Sequence, residues 1–145
     1  MLIPTTPLIA TGPFGELAAA RVAAALARGL QAGGRPAADL LAIPAGLAGI
    51  EDVRGGLDAL GFDTRMHRAR AVILGEWRLA QETLVGSVAF EIATRARQSG
   101  VPAYAVTGEN RLDGFDARIL DLQAILTARS TRALAAAARR LARLI

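Results

Sequence analysis

The chain has 145 residues, 52% of them apolar, with a formal charge of +4, which is enough for one domain with a sizeable core. It has no cysteine and no lysine, so disulfides, thiolate metal sites, Schiff bases and a Walker-type phosphate lysine are all excluded. No apolar run approaches the roughly 18 residues of a membrane helix, so no membrane partner is expected.

Met1 to Ala10 lacks the basic start of a secretory leader and contains Pro4 and Pro7, which points to a cytoplasmic protein. Within it, Pro7 to Ala10 reads as a first short strand, broken by Thr11-Gly12-Pro13. Phe14 to Leu30 has helical periodicity, with Ala18, Val22, Leu26 and Leu30 on one stripe and Arg21 and Arg28 a heptad apart on another face. Gly33-Gly34 stops it. Asp39 to Pro44 reads as a second buried strand. A helix from about Glu51 to Leu60 comes next, closed by Gly61. Phe62 to Arg70 holds the single histidine, His67, among arginines and reads as a solvated connection. Ala71 to Leu74 is the third strand, leading into a polar loop and a helix from Gln81 to Arg97. In that helix Val85, Val88, Ala89, Ile92 and Ala96 should face the core, with Glu91 and Arg95 as an exposed i, i+4 pair. Val101 to Thr107 forms a fourth strand, Phe115 to Leu120 a short helix, and Gln123 to Thr127 a fifth strand. The last helix, Thr131 to Leu144, places Leu134, Ala138, Leu141 and Leu144 on one stripe.

Strands alternating with helices imply an α/β fold: three layers, a parallel sheet of about five strands, and helices on both faces, Rossmann-like or flavodoxin-like. The strand order expected is 2-1-3-4-5. The arginines look scattered along the chain, without a basic block or interleaved aromatics, so no nucleic-acid partner is expected.

The most informative local feature is a motif used twice after an apolar strand. Gly75-Glu76-Trp77-Arg78-Leu79 and Gly108-Glu109-Asn110-Arg111-Leu112 share Gly-Glu-x-Arg-Leu, and Asp113 comes directly after the second copy. Ligands of open α/β sheets sit beyond the carboxyl ends of the strands, so these loops are the default site.

Three stretches resemble the bacterial-type glycerate kinases, which phosphorylate D-glycerate with ATP. Ile9-Ala10-Thr11-Gly12-Pro13-Phe14-Gly15, with Leu17 and the helix after it, is similar to that family's opening Ile-Ala-Pro-Asp-Ser-Phe-Lys-Gly. Gly56 to Leu79 resembles its run through Leu-Gly-Phe-Asp to Ile-Thr-Gly-Glu-Gly-Arg-Leu-Asp. Thr83, Gly86 and Val101 to Ala105 fit the family's next helix and strand. The resemblance implies a nucleotide and substrate cleft between two domains, the second inserted where this chain has only about Leu47 to Ile50. Against that pattern Gly12 stands for an aspartate, Leu74 for threonine, Trp77 for glycine, Ala80 for aspartate and Ser87 for lysine. The second copy keeps Thr107 and Asp113.

Ligand-binding candidates are therefore Thr11, Gly12, Gly75, Glu76, Arg78, Thr107, Gly108, Glu109, Arg111 and Asp113. Arg129 is a third available cation, and Glu76 and Glu109 are candidate Mg²⁺ ligands. The plainer alternative pairs these carboxylates with the neighbouring arginines. Trp77, Leu141 and Leu144 are candidates for an association surface, in a homo-oligomer or with a protein partner. The expectation is a single glycerate-kinase-like domain over residues 1–145 that has lost kinase activity and acts through association. The alternatives are residual glycerate kinase activity, with ATP and Mg²⁺ as cofactors, or a module binding a small anionic ligand, metabolite or nucleotide, through Arg78 and Arg111.

Overall fold

The computed structural model describes residues 3–145 (for Thr83, the backbone alone), so Met1 and Leu2 of the leader reading lie outside the described residues. Five strands form one all-parallel sheet: β1 (Leu8–Thr11), β2 (Asp39–Ala42), β3 (Val72–Ala80), β4 (Ala103–Arg111) and β5 (Ile125–Thr127). Their order, β2-β1-β3-β4-β5, matches the sequence expectation and makes the sheet doubly wound, reversing direction between β1 and β3. β1 and the first half of β3 are buried on both faces, which is why they read as continuous apolar runs.

Side chains alternate across the sheet into two cores. Leu8, Ala10, Val72 and Leu74 pack under α2 (Ile50–Ala59), α3 (Phe62–His67), α5 (Val88–Gln98) and α6 (Gly114–Leu120). Ile9, Ile73, Tyr104 and Val106 pack under α1 (Ala19–Ala32) and α7 (Thr131–Leu141). α1 and α7 pack very closely: a Cβ at Gly29 would lie 2.0 Å from the Ala135 carbonyl oxygen. This seam buries Leu134, Ala138 and Leu141, so Leu141 belongs to the interior and not to the association surface expected of it.

Several boundaries differ from the sequence reading for local reasons. α1 starts at Ala19, not Phe14, because Phe14 and Leu17 exchange backbone hydrogen bonds of 2.9 Å across Gly15, whose φ of +56° cannot continue a helix. The segment after Gly61 is helix α3, not a solvated connection, because Phe62 and Met66 are a buried i, i+4 pair. His67 is exposed on it. The helix expected from Gln81 to Arg97 is two, α4 (Gln81–Leu84) and α5, broken at Gly86 with φ of +83° and restarted by the Ser87 hydroxyl accepting from the Phe90 N–H. Val85, expected in the core, is 73% exposed at that break.

The Glu91–Arg95 pair is largely shielded instead of exposed. Arg95 donates to Glu91 at 2.8 Å, to Asp58 at 2.9 Å and to Asp63 at 3.1 Å, tying α5 to α2 and α3. β3 and β4 also run on through the residues read as polar loops, which sets the geometry of the site.

Candidate functional site

β1 leaves the sheet at Thr11, paired with Gly75, and β5 ends at Thr127, paired with Thr107. Beyond that line β3 and β4 continue alone as a two-stranded parallel ribbon through Ala80 and Arg111. Both copies of Gly-Glu-x-Arg-Leu therefore begin as strand. They are out of step by two residues: the ladder pairs Glu76 with Thr107 and Arg78 with Glu109. The offset sets a cation of one copy opposite the carboxylate of the other, with Arg78 Nε 3.7 Å from Glu109 Oε2.

The glycines of the motif are required by close approach. A Cβ at Gly75 would lie 2.0 Å from Thr11 Oγ1, and one at Gly108 would lie 2.3 Å from the Trp77 ring. Trp77 thus lies on bare Gly108 backbone. Its ring meets Phe14 edge-on at 5.8 Å and carries the Arg129 guanidinium 5.4 Å from its centre. Thr11 and Thr107 are fully buried, and their hydroxyls serve the backbone. Thr11 donates to the Gly12 carbonyl at 2.9 Å, and Thr107 lies within reach of the Trp77 and Glu109 carbonyls.

At the reversal between β1 and β3 the strand ends line a cavity of about 320 Å³ that is open to solvent. Gly12 and Pro13 follow β1, Ile43 to Leu47 follow β2, and Glu76, Trp77 and Arg78 come from β3, with Val88 opposite. Glu76 has no hydrogen bond or ion pair among the described residues, and burial pushes its carboxyl up to about 7. It therefore titrates near neutrality, able to accept a hydrogen bond when ionised and to donate one when protonated. A broader, open depression of about 820 Å³ lies along Ala48 to Asp52 and Val85-Gly86; it has two carboxylates and no basic residue, so it does not suit an anion.

Of the other ligand-binding candidates, Gly12 and Arg78 line this cavity with Glu76, and the rest do not. Glu109 is held below its usual range by a hydrogen bond from Arg111, with Arg78 and Arg129 adding to the effect. Arg78 also reaches Glu82 at 3.4 Å. Arg129 donates to the Gly108 carbonyl at 3.0 Å while covering Trp77. Asp113 caps α6, accepting from the Asp116 N–H at 2.8 Å. Pairing of carboxylates with neighbouring arginines therefore describes Glu109, whereas Glu76 stands apart. No group of three potential metal ligands occurs among the described residues. With Glu109 neutralised and Arg78, Arg111 and Arg129 engaged, this donor set does not fit Mg²⁺–ATP.

Sequence reasoning missed the apolar wall of the cavity, Ile43, Pro44, Leu47 and Val88. The available signal was Pro44 with Gly46 after an apolar run, which marks a loop at a strand's carboxyl end; that strand, β2, is the sheet edge and is only partly buried, not the buried strand expected. It also missed Asp116, 5% exposed with Oδ2 unpartnered among the described residues and its carboxyl raised by burial and by Asp113.

No curated protein matches the chain. Among solved structures it is similar to a protein assigned as a glycerate kinase 2 from Salmonella typhimurium LT2, at 19% identity and a TM-score of 0.49, over 74% of this chain and 27% of that one. The chain thus spans about a quarter of that protein's length. It is also similar to a chain assigned as a pilus assembly-related protein from Burkholderia pseudomallei, at 16% identity and a TM-score of 0.52, over 99% of this chain and 94% of that one. The second match speaks for the fold alone. The family model for the glycerate kinase family covers residues 28–145, so every helix after α1, four of the five strands and the whole Gly-Glu-x-Arg-Leu ribbon fall within it. The chain belongs to the glycerate kinase family.

Proposed function

We propose that this chain is a single-domain, reduced member of its family that does not transfer phosphate and acts through association with copies of itself or with a protein partner. The carrying observation is the commitment of the strand-end cations. Phosphoryl transfer needs positive charge free to hold phosphates, and Arg78, Arg111 and Arg129 are each already engaged by Glu109, Glu82 or the Trp77–Gly108 stack. Only the short stretch 43–49 joins β2 to α2, where the family resemblance implies an inserted domain forming the second wall of the cleft. Trp77, Ile50, Val85 and Leu144 are exposed large apolar groups available for association.

A coupled assay for phosphoglycerate with ATP, Mg²⁺ and D-glycerate, run beside light-scattering mass measurement, tests this reading. The expected result is no turnover and a mass above that of the monomer; turnover by the pure protein overturns it. A second reading, binding of a small ligand in the 320 Å³ cavity, is favoured by the unpaired Glu76 beside Arg78. A ligand that binds only the folded state raises the Tm. A rise with ATP–Mg²⁺, glycerate or phosphoglycerate that disappears in Arg78→Ala would support it.

A further inference from the structure

The fold sorts charge by layer in a way the linear order of residues conceals. Residues 17–38 and 122–145, which build α1, α7 and their flanks, contain eight of the seventeen arginines and none of the thirteen carboxylates. Six of these arginines are exposed: Arg21 and Arg28 on α1, Arg132, Arg139 and Arg140 on α7, and Arg143 just after it. None of the six forms an ion pair among the described residues, whereas five of the nine arginines elsewhere in the chain do: Arg54, Arg65, Arg78, Arg95 and Arg111.

The spacing makes this an array. Arg21 and Arg28, like Arg132 and Arg139, are one heptad apart, about 10 Å along a helix. Arg132, Arg139 and Arg143 project opposite the buried stripe of Leu134, Ala138 and Leu141. The two helices pack through Gly29 and Gly33 of one side and Ala135, Ala138 and Ala142 of the other, so the two rows flank a seam of small residues.

We propose that the α1–α7 face binds the phosphate backbone of double-stranded nucleic acid without reading its sequence. Guanidinium forks suit phosphate oxygens, and an all-cation face gains affinity by releasing condensed counterions. Neither helix exposes a large apolar side chain, and Leu144, exposed just after α7, is a single such group, short of the apolar row a bilayer-lying helix needs and of the apolar or aromatic centre of a protein interface. It also lacks aromatics on which unpaired bases could stack. The other layer carries more carboxylates than arginines and leaves this face as the one turned toward a polyanion. The proposal is independent of the reading of the Glu76 cavity.

The test is fluorescence anisotropy with a labelled mixed-sequence DNA duplex, titrated between about 50 and 150 mM salt. Binding is expected at the lower salt, with a log–log salt slope of about −5 if each of the six arginines neutralises a phosphate. Arg28→Glu/Arg132→Glu/Arg139→Glu should lose at least about tenfold in affinity. Arg68→Glu/Arg70→Glu/Arg118→Glu has the same net charge but its changes lie outside the α1–α7 face, and should lose far less. If the first variant melts early, Arg→Gln at the same three positions takes its place. Three results overturn the proposal: no binding at low salt, equal losses in the two variants, or phosphatidylglycerol vesicles bound as tightly as the duplex.

Discussion

Gly75→Ala separates a steric role for the motif's glycine from a ligand-binding one. The new methyl would lie 2.0 Å from Thr11 Oγ1 and 2.6 Å from Thr11 Cβ. Both residues are fully buried on hydrogen-bonded central strands, so neither backbone can withdraw. Alanine would gain about 0.5–1 kcal/mol over glycine from backbone entropy, but overpacking a rigid core costs about 1–3 kcal/mol, and contacts this short belong at the upper end. The net expectation is a loss of about 2 kcal/mol, or roughly 4–8 °C in Tm. In a Thr11→Ala background the 2.0 Å contact is gone while the 2.6 Å one persists, so the same change should cost about 1 kcal/mol less. Urea unfolding followed by Trp77 fluorescence, on all four members of the cycle, measures both numbers; Trp77 is the only tryptophan. Additivity within about 0.5 kcal/mol, or a neutral Gly75→Ala, would show that β1 and β3 do not approach as described.

Other expectations come from the same geometry. Because burial raises the Glu76 pKa to about 7 from an ordinary value of 4.5, the folded state binds the proton more tightly; stability present below about 4.5 is lost as pH rises through about 7. Allowing for its partial exposure, the loss is on the order of 1–2 kcal/mol, and Glu76→Gln should flatten that part of the Tm–pH curve while leaving any slope from Asp116. Gly29→Ala pits a helix-propensity gain of about 1 kcal/mol against a methyl 2.0 Å from the Ala135 carbonyl oxygen. The clash should win by about 2 kcal/mol or more in chemical denaturation, and a stabilised variant would refute the close α1–α7 seam. Arg95→Ala removes hydrogen bonds to three carboxylates and leaves the shielded Glu91 with only the longer Arg54 contact of 3.3 Å. A loss of about 2 kcal/mol in urea unfolding is expected, and one below about 0.5 kcal/mol would mean that this network holds nothing together.

Several features were legible before any fold was known. Val72 to Leu74 and Ala103 to Val106 read as strand because strands buried on both faces carry unbroken apolar runs. The stripes Ala18-Val22-Leu26-Leu30 and Leu134-Ala138-Leu141-Leu144 indicated the buried helix faces except at their ends, where Ala18 and Leu144 lie exposed outside α1 and α7. Where reading failed, a local signal was overruled. The polar Glu76 to Arg78 and Glu109 to Arg111 looked like loop, yet mutual pairing keeps them extended. Arginines around Met66 hid a two-residue apolar anchor, and Gly86 hid a break inside a pattern that was otherwise helical.

The order of hydrophobic and polar residues alone determined that this chain forms a β/α-alternating layered body, because burial requires each element's apolar face to meet another. It also carried the family likeness, through residues that stand in a row. Only the tertiary structure decided what those residues face. The ladder between β3 and β4, with its own register, set Arg78 against Glu109, laid Trp77 on Gly108 and left Glu76 alone in a cavity. The assignment of helices to sides of the sheet gathered arginines more than a hundred residues apart, such as Arg28 and Arg139, onto one face. Register and sidedness are set by hydrogen bonds and packing between segments distant in the chain, and spacing along a single segment carries no record of them.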